Sequence, residues 1–463
     1  MALSVLIEEC VDVFNMHTEI SEALDLSLDV GVTGDGDLPS CFAVTSLLTA
    51  SVAAVGSAAS TLIQALGLTV SQPTVTVDRR FASLWAARSI YPIGWELPPV
   101  WDSLAGDYRT RDGWIKLHTN LSHHRRVVLD VLGCAPARDA VTRAVRQWDG
   151  DTLESAIMHG GGVAAIMRSP SEWAVHAQGQ AVKSEPLIHW REEGTGPQRM
   201  WSPTRQRPLG GLRVLDLTRV IAGPVATRML AGFGATVLRI DPPAWSEPNV
   251  IPEVTLGKRC AHLKLNEREG FETLAALLAQ TDVLVHGYRP GALDRLGLDC
   301  SARRALNRSL IEVTLDAYGW TGPWAARRGF DSLVQMSCGI AHAGMEWAGR
   351  TEPVPLPVQA LDHATGYLMA AAVLRGLIAG VRGDGVRSAR LSLARTGALL
   401  SSHRTDAPTA RVYEAGPDDF MEHVEQTPWG NAYRLRPPLG IDGTTIRWEL
   451  PAGELGSARP TFP

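Results

Sequence analysis

Short apolar runs alternate with amphipathic stretches between Gly211 and Gly319. RVLDL (213–217) and TVLRI (236–240) are apolar runs of strand length with a helical stretch between them. DVLVHGY (282–288) and LIEVTLDAYG (310–319) repeat the strand pattern, and a helix is expected over 267–280. Alternation of this kind predicts a parallel sheet with helices on both faces. Ligands of such sheets bind beyond the carboxyl ends of the strands. The loop after the first strand carries AGP (222–224), open to a phosphate or nucleotide. It lacks the GxGxxG that a dinucleotide site requires.

Two small-residue apolar stretches stand outside this alternation, AVTSLLTASVAAVGSAASTLIQAL (43–66) and DHATGYLMAAAVLRGLIAG (362–380). The first is long enough to span a membrane. It is rich in Ala, Ser, Thr and Gly and lacks bulky residues, so a buried core helix is expected. Each stretch is followed by a strand pattern, and TVTVDRRFASLW (74–85) parallels SARLSLARTGALL (388–400) as a weak internal repeat. Between the two, AGDYRTRDGWIKLHTN (105–120) places a DG turn between two strands, and helices are expected over 123–132 and 137–148.

The chain thus divides into an acidic lead-in (1–40), a first unit (41–190), a linker rich in Pro, Gly and charge (191–210), the α/β half (211–400) and a Pro/Gly-rich tail (401–463). A length of 463 residues allows two or three domains. The net charge of -5 and pI near 6.2 argue against a nucleic-acid or anionic-membrane partner. The six cysteines are dispersed without a CxxC pair, which fits reduced thiols in a cytoplasmic protein and no zinc site. Residues 1–15 lack a basic n-region, so no signal peptide is expected there.

Five segments in order carry a resemblance: GLRVLDLTRVIAGPVATRMLAGFGATVLRID (211–241), GKRCAHLKL (257–265), DVLVHGYRPGALDRLGL (282–298), GWTGPWAARRGFDSLVQMSCGI (319–340) and ALDHATGYLMAAAVLRGL (360–377). Together they resemble the class III CoA-transferase family, which includes formyl-CoA and carnitine CoA-transferases and α-methylacyl-CoA racemase. The resemblance implies a Rossmann-like parallel-sheet large domain, a smaller α+β domain and an interlocked homodimer. Residues 105–162 resemble the family's later portion yet come first here, so the order of the halves is expected to be rearranged, as in a fused pair whose first member has lost its βαβ half.

The resemblance also implies a chemistry. Asp362 matches the family's nucleophile, which attacks an acyl-CoA thioester and passes CoA to a carboxylic acid through covalent aspartyl intermediates. An Asp opening an apolar helix is equally a favoured N-cap, and the two roles can coexist. Backbone N–H groups of Gly160, Gly161 and Gly162 are candidates for stabilising the oxyanion. Lys258, Arg259, Tyr288, Arg289, Gly291 and Arg295 match CoA-contacting positions, the cations facing phosphates and the tyrosine stacking on adenine or pantetheine. Coenzyme A enters as substrate; no permanently bound cofactor and no metal is implied. In the first unit the counterpart of Asp362 falls near Thr45 to Leu47, where there is no carboxylate, so one catalytic Asp per chain is expected.

Two alternatives stay open. An acyl-CoA racemase or isomerase of the family needs a His before the Asp of the GFD segment, and Phe330 stands there before Asp331. A non-catalytic CoA-binding homologue would lack the chemistry of Asp362 altogether.

Overall fold

The computed structural model describes residues 16–194, 196, 199–405 and 414–463. Its largest element is a seven-stranded sheet of β1 (His189–Glu192), β2 (Arg213–Leu217), β3 (Thr236–Asp241), β4 (Lys258–His262), β5 (Val283–His286), β6 (Ile311–Asp316) and β7 (Arg387–Ser392). The order across the sheet is β4-β3-β2-β5-β6-β7-β1. All neighbours are parallel except the last pair, in which β1 runs antiparallel to β7, so the sheet is mixed. The strands from β2 to β5 are buried along most of their length, as a sheet covered on both faces requires. The chain reverses direction across the sheet between β2 and β5, whose register pairs Leu217 with His286. Such a switch point opens a crevice beyond the strand ends.

Five helices position the site: α1 (Val44–Ala65), α2 (Ser122–Leu132), α3 (Ala222–Gly232), α4 (Asp331–Ser337) and α5 (Ala360–Arg382). Among the described residues two helices are long and apolar enough to cross a membrane, α1 and α5, and their most apolar windows are 100% and 89% buried inside the protein. They pack against each other as the centre of the main core. Small residues let α5 approach α3 closely: a Cβ added at Gly366 would lie 2.4 Å from the carbonyl oxygen of Ala222.

Residues 104–166 form a smaller unit. A hairpin of Gly106–Arg109 and Trp114–Leu117 is extended by Ala164–Ile166 into an antiparallel sheet. Tyr108, Ile115 and Leu117 on that sheet, with Leu104 in the turn before it, share a core with Val128 and Leu132 of α2. Helix α4 joins this unit to the rest, because Leu333 and Met336 pack on Val163 and Ala165.

The weak internal repeat has a geometric counterpart. The residue before α1 has φ/ψ of -73°/61° and the residue before α5 has -75°/64°. Each is the centre of a tight turn, with Val44 N–H donating to Phe42 and Ala360 N–H to Val358, both at 2.8 Å. Each helix leads to a strand and then to a capped helix, where Asp78 accepts from Phe81 N–H and Ser392 from Arg395 N–H. Each of those strands has one parallel and one antiparallel neighbour: Gly31–Thr33 and Leu439–Ile441 flank Val75–Asp78, as β6 and β1 flank β7. Counted from the shared turn, Ser46 stands where the second unit has Asp362.

The ends of the chain are more structured than the sequence suggests. The lead-in holds a helix over 16–24 with Met16, Ile20 and Leu24 buried; residues 1–15, read above for a signal peptide, lie outside the described residues. The Pro/Gly-rich tail supplies the strands Glu425–Thr427, Gly430–Arg434 and Leu439–Ile441, and Arg434 is buried against Glu425 at 2.8 Å. Too few apolar residues per strand survive there to show a periodic pattern.

Candidate functional site

A cavity of about 370 Å³ opens at the switch point. Its walls come from the loop after β2 (Leu217 to Gly223), the loop after β5 (Gly287 to Ala292), the end of β6, the segment before α4 (Arg327 to Phe330), and His123 and His124 of α2. Asp362, in the first turn of α5, also lines it. The larger sheet and the smaller unit therefore both contribute to this one cavity.

Asp362 is 7% exposed, and burial followed by repulsion from Asp331 pushes its carboxyl well above the usual carboxylate range. Asp331 is fully buried at the start of α4, and burial first of all raises it to about 6. One oxygen of Asp331 accepts the N–H of Asp362 at 2.9 Å, and the other accepts the side-chain amide of Gln335. No ion pair reaches either carboxylate among the described residues. Helix α5 has no side-chain cap of its own. Asp331 supplies that cap from another helix, and Asp362 points its carboxylate to the cavity instead of to the helix end.

The loop after β2 is held from beneath. Asp216 Oδ2 accepts Lys258 Nζ at 2.9 Å, and Lys258 also donates to the Pro224 carbonyl at 2.9 Å. Both side chains are inaccessible, so burial lowers the Lys258 ammonium to about 8. Val220 has φ of 65°, a left-handed conformation that is a true outlier for a β-branched residue. Its N–H donates to Glu247 at 2.9 Å, and Glu247 is itself locked to the buried Arg239 at 3.1 Å. Strain of this kind persists where the surroundings over-determine it, most often at functional sites. The loop delivers the start of α3 to the cavity, where the N–H groups of Ala222 and Gly223 have no acceptor in their own helix.

Cations gather at the cavity. Arg289 and Arg328 line it, and neither forms an ion pair among the described residues. The Arg289 guanidinium is disfavoured by partial burial and then by repulsion from Arg328 and Arg295. Arg219, also in the wall, lies 4.3 Å over the Trp245 ring, and its Nη2 donates to the Tyr288 hydroxyl at 3.3 Å. Arg219 also lies 3.7 Å from the buried Asp241, so Arg289 and Arg328 are the unneutralised pair here, and cations of this kind are suited to phosphate.

The structure brings Asp362, Tyr288 and Arg289 to one cavity. Gly291 and Arg295 lie on the adjoining turn, outside the wall. Lys258 is sealed in its pair with Asp216 and cannot meet a ligand; it supports the loop instead. Arg259 points to solvent on the edge strand β4, away from the cavity. Gly160, Gly161 and Gly162 end a helix, and their N–H groups already donate to Ala156, Met158 and Ile157. They do not line the cavity, although the Gly161 carbonyl accepts from Arg328 at 2.8 Å.

Sequence reasoning missed Arg219, Arg328, Asp331, Asp316, His118 and His124. Asp316 ends β6 in the cavity wall, and burial raises its carboxyl to about 8. His118 stacks on Phe330 with centroids 4.1 Å apart, and His124 meets the same ring edge-on at 6.0 Å. Burial lowers the two imidazoles to about 4 and about 3. Arg219 and Arg328 lie within quoted motifs and carried a signal there; the histidines come from the segment around residues 118–124, which nothing in the sequence ties to this cavity.

Residues 209–436 match CoA-transferase family III. An acetyl-coenzyme A transferase of Hypoxylon pulicicidum is 36% identical over 200 residues, covering 42% of this chain and 33% of that protein. A succinate–glutarate CoA-transferase of Agrobacterium fabrum is 31% identical over 270 residues, covering 52% of this chain and 65% of that protein. A crystal structure of a CaiB/BaiF family protein from Brucella suis is 25% identical with a TM-score of 0.37, over 49% of this chain and 65% of that one. The chain spans from a third to about two thirds of the length of these relatives. Over residues 209–436, just under half of its length, this chain matches the CoA-transferase family III.

Proposed function

We propose that the cavity transfers CoA between an acyl-CoA thioester and a carboxylic acid, with Asp362 as nucleophile. The observation that carries this reading is a buried carboxylate facing a cavity whose wall includes Arg289 and Arg328, neither of them in an ion pair among the described residues. Several relatives are named as CoA-transferases, which supports it.

The ionised Asp362 attacks the thioester carbonyl carbon. The tetrahedral oxyanion collapses, the C–S bond breaks, and CoA leaves as thiolate from a mixed anhydride. The thiolate then attacks the aspartyl carbonyl, releasing the donor acid and leaving an aspartyl-CoA thioester. The acceptor carboxylate repeats the sequence in reverse and restores Asp362. Splitting the exchange in this way replaces one difficult step by easier ones. The free N–H groups at the start of α3 are the donors available to a developing oxyanion. Arg289, Arg328 and Arg219 would hold the CoA phosphates, and Tyr288 would flank the nucleotide or pantetheine.

The test is acyl exchange between CoA thioesters and free acids by purified protein and by Asp362→Ala and Asp362→Asn. Loss of exchange in both variants with acyl-CoA binding retained is expected. Unchanged exchange would remove Asp362 from the mechanism, and failure to bind any CoA ester would remove the transferase reading. A homodimer and a cytoplasmic location are part of the same proposal, checked by sedimentation and by fractionation of the source cells.

A further inference from the structure

Asp331 and Asp362 form a pair of buried acids with no ion-pair partner among the described residues, an arrangement that costs stability. Of the charged groups around the start of α5, Lys116 favours the ionised Asp331, as the smallest of the influences on it. Lys116 is committed to Asp107 at 3.0 Å, and Arg228 on α3 to Glu253 at 3.2 Å. His124 on α2 and His363 on α5 are both held neutral, chiefly by burial, at about 3. Asp316 adds a third acid, and Arg327 is taken by Glu154 at 3.0 Å. Arg219, Arg289 and Arg328 line the cavity and are the cations that a ligand's phosphates would engage.

Asp331 is nonetheless built in on both oxygens. One accepts the main-chain N–H of Asp362 itself at 2.9 Å, and the other is anchored by Gln335, whose Oε1 accepts Leu356 N–H at 2.7 Å. The cap at the start of α5 thus touches the backbone of the residue whose side chain faces the cavity. A serine, threonine or asparagine cap would do the same mechanical work without a charge. The charge is what remains to be explained.

We infer that Asp331 is a positioning residue for Asp362: one oxygen fixes the main chain at the nucleophile, and its charge governs when the nucleophile ionises. This rests on the transferase reading above for the word nucleophile, but not for the geometry. With Asp331 ionised, Asp362 keeps its proton in the empty cavity and cannot attack. The proton passes to bulk water as the pH rises, and the carboxylate then becomes reactive.

The test separates cap from charge. The double variant Asp331→Asn/Gln335→Glu keeps an acceptor for the Asp362 N–H, reverses the hydrogen bond between the two side chains, and still offers an acceptor to Leu356 N–H. It moves the negative charge one side chain away from Asp362. The readout is the carboxyl ¹³C titration of Asp362 in aspartate-labelled protein without substrate, its signal assigned by its loss in Asp362→Asn. The midpoint should fall by about 1 pH unit or more, the size of a common site-specific perturbation. The rising limb of the kcat/KM profile should fall with it, and kcat should survive. An unchanged midpoint in folded protein overturns the proposal. If the double variant does not fold, Asp331→Asn alone is read by the same titration with the same two outcomes. Because the titration needs no turnover, its failure is distinguishable from failure of the transferase assay.

Discussion

Replacing Asp362 by Asn should make the protein more stable while abolishing its chemistry. Burial and Asp331 raise the Asp362 carboxyl above its ordinary value of 3.8. A raised acid holds its proton in the folded state after the unfolded chain has released it. Its stability contribution is therefore intact below the unfolded value and is lost as the pH climbs to the folded one. Each pH unit by which a folded-state value exceeds the unfolded one removes ~1.4 kcal/mol once the pH has passed both. Unfolding entropy near 2.1 cal/mol/K per residue gives ~1 kcal/mol/K for a chain of 463 residues, so each such unit is worth about 1.5 °C in Tm. Thermal unfolding of Asp362→Asn and the unaltered protein, followed from pH 4 to pH 8, measures it. The two should melt together near pH 4 and separate progressively above. A difference that does not depend on pH, or a variant less stable at pH 8, would refute the reasoning.

Two further outcomes separate binding from support. Arg328→Ala or Arg289→Ala should raise the KM for acyl-CoA by about 10- to 100-fold, since a charge-assisted contact contributes roughly 1.5–3 kcal/mol; an unchanged KM in steady-state kinetics would take these arginines out of the CoA site. Lys258→Met leaves Asp216 buried and unpaired and should cost about 3–5 kcal/mol in denaturant unfolding; a well-folded variant that has lost only acyl-CoA affinity would instead make Lys258 a ligand contact.

The α/β half was legible because its strands are short apolar runs separated by helices, a pattern set by burial on both faces of a sheet. A ligand site beyond the carboxyl ends of the strands followed from the same pattern, and Tyr288, Arg289 and Asp362, named through their motifs, line the cavity there. Lys258 misled because a cation beside a ligand loop reads alike whether it faces the ligand or the loop's underside; only its pairing with Asp216 decides. The glycines at 160–162 misled for a related reason. A glycine run signals free backbone, but here those N–H groups close a helix end. Asp331 and His118 were invisible as site residues because their roles depend on contacts between segments far apart in sequence. The antiparallel β1 was hidden for the same reason, since it joins the sheet next to a strand that follows it by about two hundred residues.

The central claim is that Asp362 carries the acyl group. Mass spectrometry of the protein after incubation with a panel of acyl-CoAs tests it most directly. The account predicts a covalent adduct of acyl or CoA mass on the peptide containing Asp362, one per chain, and none on the peptide containing Ser46. Exchange that proceeds with no adduct on that peptide, or with the adduct elsewhere, would contradict it.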